Sequence, residues 1–159
     1  MGGWKISGDY PGPFLAGNTL WQVVAHTDLP ILQISSELQR IETILVAFDG
    51  RSKSCDALQL AETWAKAWGL NLVVVTVQSN KKQVQDVLKQ VRQRLEPFNA
   101  RLVAKEGEPG TVIAELARQH QCNLISLGVS PHHSWRGYSL GGVIDELLNS
   151  DPLPLLLNH

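Results

Sequence analysis

Two stretches of the sequence bring together residue types that could hold a ligand. The first is Asp49-Gly50, which closes the apolar run 44–48. The second is the loop GVSPHHSWRGYSLGG at 128–142, which carries Gly128, Arg136, Gly141 and Gly142 and runs into an amphipathic pattern. A glycine-rich loop leading into a helix start offers free backbone N–H groups and the positive end of the helix dipole, and an arginine adds a cation. Asp49 has two readings. It stands at the carboxyl end of a strand, where open parallel sheets bind ligands, and an Asp there also closes a turn and caps the following helix. Arg136 is read as a phosphate ligand or as a solvated loop arginine, and Trp135 as the one aromatic placed to cover a base or a partner. His132 and His133 are adjacent, with no Asp, Glu or Cys at ligand spacing, so no metal site is expected. The chain has no GxSxG, HExxH or GxxxxGK[ST] motif, and Val143 follows Gly141-Gly142, so no catalytic constellation is expected and the chain reads as a non-enzyme.

Composition limits the partners. At 159 residues, 43% hydrophobic and 18% charged, the chain has the size of one domain with a single core. A net charge of -1 argues against general nucleic-acid binding, which needs many cations to neutralise phosphates. The longest apolar runs, 72–77 and 153–157, are far shorter than the roughly 20 residues that cross a bilayer, and the first residues lack a secretory pattern. Two cysteines, Cys55 and Cys122, make no disulfide framework or metal spacing. A cytoplasmic location is the simplest expectation. Between Lys81 and Glu106 seven Lys or Arg face three Asp or Glu, read as a solvated helix face.

The elements that must position these residues alternate from Ile41 onward. The run 44–48 and LNLVVVTV at 70–77 read as strands buried on both faces. Between them Leu58, Ala61, Trp64, Ala65 and Trp68 form a helical stripe read as core, with Ser52 or Ser54 as N-cap and Gly69 as stop. Asp49-Gly50 taken alone would also fit a hairpin turn. Val84 to Phe98 hold helical spacing, 101–104 gives a shorter strand, and Pro109 starts a helix through Val112, Ile113, Leu116 and Ala117. A strand at 122–128, a helix at 139–150 and a strand at 153–157 complete the order βαβαβαβαβ. The predicted fold is α/β, an open doubly wound parallel sheet of five strands in the order 3-2-1-4-5.

The first forty residues stand outside that alternation and look like its end. LAGNTLWQVVAHTDLPILQI from Leu15 matches LGGVIDELLNSDPLPLLLNH from Leu140, with one residue skipped. Gly17 falls on Gly141, Val23-Val24 on Leu147-Leu148 and Pro30 on Pro154. Residues 1–40 then read as the last helix and strand of a preceding sister domain plus a linker, residues 41–159 as one domain, and Met1 as an internal methionine. The helix from about Asn18 to Ala25 is expected to pack through Leu20, Val23 and Val24. Its strand is expected to pair with a final strand of the same or another subunit.

From Ile44 to Leu157 the chain resembles the universal stress protein family. ILVAFDGRSKSCDALQLAETWAKAWG is similar to that family's first strand, Asp and first helix. The loop at 128–142 matches G-x2-G-x9-G-[ST] in length, with Gly128 and Gly141 as its first and third glycines. Pro131 stands in place of the second glycine and Gly142 in place of Ser or Thr, so an N–H and a hydroxyl are missing. At roughly 1.5–3 kcal/mol per hydrogen bond to a charged group, the two losses weaken ATP binding by about 10² to 10⁴ fold.

The resemblance implies an adenine nucleotide alpha hydrolase-like fold and, in nucleotide-binding members, an Asp beside the adenosine. The implied site is therefore Asp49, Gly128, Arg136, Gly141 and Gly142, on one edge of the sheet. No cofactor is expected, beyond ATP at low affinity. The functional reading is a non-enzymatic regulatory or association domain, dimeric or of higher order through the final strand and the N-terminal segment. The alternatives are an ATP-binding switch that uses the degenerate loop, and a structural domain of a larger tandem or transporter-attached protein.

Overall fold

The computed structural model describes residues 13–34, 39–77, 81–98, 100–130, 132–134, 137–139, 142–150 and 153–158. Its centre is β2 (Thr43–Ala47) between β3 (Asn71–Val77) and β5 (Leu124–Gly128). These β-branched and leucine-rich runs are apolar on both faces, as a parallel strand covered by helices on each side requires. β4 (Ala100–Lys105) pairs with β3, and β8 (Leu155–Asn158) with β5, all in parallel.

The five-stranded sheet expected from the sequence is one strand short. The sheet has six strands in the order β1-β8-β5-β2-β3-β4. The sixth is β1 (Ile31–Gln33), antiparallel to β8 of the same chain in the register Ile31↔Leu157, Leu32↔Leu156, Gln33↔Leu155. The physical reason lies in β8. Leu155, Leu156 and Leu157 are fully buried, and as an edge they would leave backbone donors and acceptors unpaired beside a dry core.

Helices cover both faces. On one lie α1 (Pro13–Ala25), α4 (Pro109–Gln119) and α5 (Gly142–Ser150), whose Trp21, Val24, Ile113, Leu116, Ile144 and Leu147 pack on Leu45, Val73, Ile125 and Leu157. On the other lie α2 (Ser52–Trp68) and α3 (Lys81–Leu95), whose Leu58, Ala61, Val91 and Leu95 pack on Ile44, Val46, Val74 and Leu156. Two expectations fail on α2. Its N-cap is Arg51, with no side-chain cap. Trp64 is half-buried and Trp68 is 61% exposed, the two rings leaning together at 4.8 Å, because the last turn of α2 runs past the amino edge of the sheet. Gly69 does close the helix, with φ of 67° and its N–H donated to the Ala65 carbonyl.

The N-terminal helix also departs from its expected face. Leu20 is half-buried against the core and Val24 is fully buried, but Val23 is 48% exposed. Trp21 takes the buried place instead. The helix is turned by one residue relative to the repeat alignment, which would have matched Val23 to the buried Leu147, and so places its largest side chain inside. The chain then returns to the sheet through a fixed clamp. Asn123 Oδ1 accepts from the Glu42 and Thr43 amides at 2.9 and 3.1 Å, and its Nδ2 donates to the Arg40 carbonyl at 2.7 Å.

Candidate functional site

Parallel pairing of Val46 with Ser126 sets the carboxyl ends of β2 and β5 side by side. Asp49 follows the first and Gly128 ends the second. Gly142 opens α5, which starts at this same edge because β8 after it runs parallel to β5. The structure therefore brings Asp49, Gly128 and Gly142 to one edge of the sheet, where the strand order reverses around β2. Arg136 and Gly141, like Pro131 and Trp135, lie outside the described residues.

Two of the three have a legible local reason for their type. Asp49 Oδ1 accepts the Arg51 amide at 2.9 Å, and the Asp49 amide donates to Ser54 Oγ at 3.3 Å, which itself donates to the Arg51 carbonyl at 2.9 Å. This is an Asx turn leading into α2, so the turn reading of Asp49 has full geometric support. A looser contact joins Arg51 Nε to Asp49 Oδ2 at 3.7 Å, with both side chains largely in water, where such pairs contribute little. Gly128 is pressed against the first turn of α2, and a Cβ there would collide with the Lys53 carbonyl group and the Ser54 amide. Gly142 is exposed and a Cβ on it would meet nothing within 4 Å.

The stretch between Gly128 and Gly142 is not the open loop that the sequence predicts. β6 (His132–Ser134) and β7 (Gly137–Ser139) form a two-stranded antiparallel ladder, with His132 opposite Ser139 and Ser134 opposite Gly137. The helix expected from residue 139 starts at Gly142, since residues 137–139 are extended. The ladder also touches α1, so the N-terminal helix lies against both the loop region and α5.

Sequence reasoning missed Thr76. Its side chain is fully buried near the carboxyl end of β3, and its hydroxyl has no hydrogen-bond partner. Buried hydroxyls are normally paired. The signal was a lone Thr in an all-valine strand centre. Two clefts of about 510 and 470 Å³ open at the opposite, amino-terminal edge, lined by Trp68, Gly69 and Asn71, and by Arg101, His120 and Gln121. Neither includes a sequence-predicted site residue. Among the described residues, no group of three His, Cys, Asp or Glu could hold a metal ion, and no helix is long and apolar enough to cross a membrane.

As a test of nucleotide fit, the start of α5 at Gly142 lies at this edge, and the Thr76 hydroxyl, unpartnered at the carboxyl end of β3, is fully buried. The Asp49 carboxylate is engaged by its own turn, and the ladder occupies the stretch that the motif would need as a phosphate loop. The fit is partial. A model of the universal stress protein family matches residues 77–159, just over half of the chain. The chain belongs to the universal stress protein family. The matched span contains Gly128, Arg136, Gly141 and Gly142 but not Asp49.

Solved structures of the family share the fold. The universal stress protein UspA from Lactobacillus plantarum is 19% identical, with a TM-score of 0.63 over 76% of this chain and 99% of its own. A universal stress protein in complex with cAMP is 20% identical, with a TM-score of 0.64 over 75% of this chain and 97% of its own. A universal stress protein from Archaeoglobus fulgidus DSM 4304 is 18% identical, with a TM-score of 0.66 over 87% of this chain but 52% of its own. This chain thus spans about half the length of that structure. No curated protein sequence matches the chain.

Proposed function

We propose that the chain is a non-enzymatic regulatory or association domain of the universal stress protein family with weak or absent adenine-nucleotide binding. One observation carries this reading: the segment where the family's phosphate loop would lie is folded into the β6–β7 ladder, and its sequence lacks two phosphate donors at Pro131 and Gly142. Any residual site groups Asp49, Gly128, Arg136, Gly141 and Gly142. A second reading, an ATP-binding switch, is favoured by the placement of Asp49, Gly128 and the start of α5 at one edge, and a relative of similar fold is complexed with cAMP.

The proposed domain organisation is a universal stress protein-like domain at residues 41–159 preceded by the last helix and strand of a sister copy in residues 1–40. Two features support it. β1 and β8 each begin one residue after the proline of the repeat, at Ile31 after Pro30 and Leu155 after Pro154. The longer Archaeoglobus structure also covers more of this chain than the two of single-domain length do. A homo-oligomer in the cytoplasm completes the proposal.

Mass spectrometry of nucleotides released from the purified native protein tests it. The expected yield is far below one adenine nucleotide per chain. Stoichiometric ATP or cAMP would favour the switch.

A further inference from the structure

The amino-terminal edge of the sheet holds a donor-rich cleft on the side away from Asp49 and Gly142. Strand register builds its floor. Thr43 pairs with Asn71 and Val73 with Arg101. Side chains alternate along a strand, so Thr43, Asn71 and Arg101 fall on the face that Leu45, Val73 and Val103 present to α4. Three neighbouring strands thus begin with a hydroxyl, an amide and a guanidinium. The end of α4 forms the roof, where Gln119, His120 and Gln121 line the same space of about 470 Å³.

Among the described residues, no Asp or Glu lines this cleft. Arg101 Nη1 lies 3.0 Å from His120 Nδ1. A guanidinium only donates, so Nδ1 accepts and the imidazole carries its proton on Nε2 as a further donor. The last carbonyls of α4 would oppose an anion, but they are occupied. Leu116, Ala117 and Arg118 accept from the amides of His120, Cys122 and Gln121 at 3.0, 2.8 and 3.1 Å. Gln121 adds an independent observation. Its φ is 53°, and the other positive-φ residues among those described are Gly50, Gly69 and Gly107. α2 ends on Gly69 in the same left-handed conformation, which glycine adopts without strain and glutamine does not. A glutamine is held there at a cost, and it lines the cleft.

We propose that this cleft binds a small oxyanion, a carboxylate or a phosphate, held by the Arg101 charge and by donors from His120, Asn71 and Gln121. One fixed positive charge, an excess of N–H groups and no carboxylate complement that chemistry. The length of β2 separates the cleft from Asp49, so the site is independent of any residual nucleotide site at the carboxyl edge.

The experiment is a heteronuclear NMR titration of the full chain with sodium phosphate and, separately, sodium citrate, each to about 10 mM at constant ionic strength. The side-chain amide signals of Asn71 and Gln121 should shift and saturate, and the anion that binds tighter identifies the ligand as a phosphate or a carboxylate. Arg101→Gln, at an exposed position, should keep the circular dichroism of the wild type and raise the dissociation constant by about 10 fold or more. Lys105→Gln, at the far end of the same strand, should leave it unchanged. Gln121→Gly should raise the melting temperature and yet weaken binding, opposite signs that a purely structural residue does not give; it also tests the site without risk to the fold. The proposal is overturned if neither anion gives a saturable shift, if the shifts centre on Gly142 instead, if Lys105→Gln weakens binding as much as Arg101→Gln, or if either Arg101→Gln or Gln121→Gly binds as the wild type does.

Discussion

Gly128, the last residue of β5, lies directly against the backbone of Lys53 in the first turn of α2, with no room for a methyl group between them. The contact ties the carboxyl edge of the sheet to the turn that Asp49 and Ser54 build. Gly128→Ala forces that helix turn off the sheet and should cost about 1–3 kcal/mol, at the upper end because backbone cannot give way as a flexible side chain can. Chemical denaturation would measure it. An unchanged midpoint would mean that the glycine is there for a ligand alone.

Gly142 presents the opposite case, since a side chain on it meets open space. Gly142→Ser should leave the melting temperature unchanged while restoring a hydroxyl at the start of α5. Combined with Pro131→Gly, it should strengthen Mg-ATP binding by about 10 fold or more, one charge-assisted hydrogen bond being worth roughly 1.5–3 kcal/mol. Scanning calorimetry reads the first effect and titration calorimetry the second. No gain from the pair would show that the β6–β7 ladder, and not the missing donors, limits the site.

The N-terminal helix should contribute to stability through Trp21. Trp21→Ala removes a buried indole from the core shared with Ile144 and Leu147 and should cost about 3–5 kcal/mol. Val23→Ala, on the exposed side, should change stability by less than about 0.5 kcal/mol. Equal effects would contradict the orientation of α1.

Cys122 is buried, and burial pushes its thiol up to about 11. Its folded value lies above that of an unfolded thiol, about 8.5, so the stability that it contributes is complete below that value and is lost as pH rises toward 11. The native protein should therefore lose stability between about pH 9 and 11, and Cys122→Ala should flatten that limb. Cys55, which is half-buried, should react with a thiol reagent well before Cys122 does. Equal reactivity of both thiols in the native state would contradict the buried placement of Cys122.

What the sequence discloses here follows the physics of each segment. The valine run of β3 and the apolar stripe of α2 announced themselves because burial on two faces, or on one helical face, leaves a periodic pattern. Trp68 misled because periodicity marks a stripe but not where the helix overruns the sheet. The face of α1 was misjudged because a repeat alignment transfers positions, and a one-residue turn of the helix exchanges Val23 for Trp21. The β6–β7 ladder left no period, its strands being three residues each, so motif length alone suggested an open loop. Thr76 carried a signal only in hindsight of burial, since a threonine in a strand is ordinary until its hydroxyl is found without a partner. The clamp by Asn123 joins residues some eighty positions apart, which no local pattern encodes.

The central claim, a family fold whose nucleotide site has been weakened at the phosphates, is tested most directly by the affinity of the purified wild-type chain for Mg-ATP. Isothermal titration calorimetry should give a dissociation constant no tighter than the high micromolar range. A sub-micromolar constant would contradict the account and return Asp49, Gly128, Arg136, Gly141 and Gly142 to the role of a working ATP site.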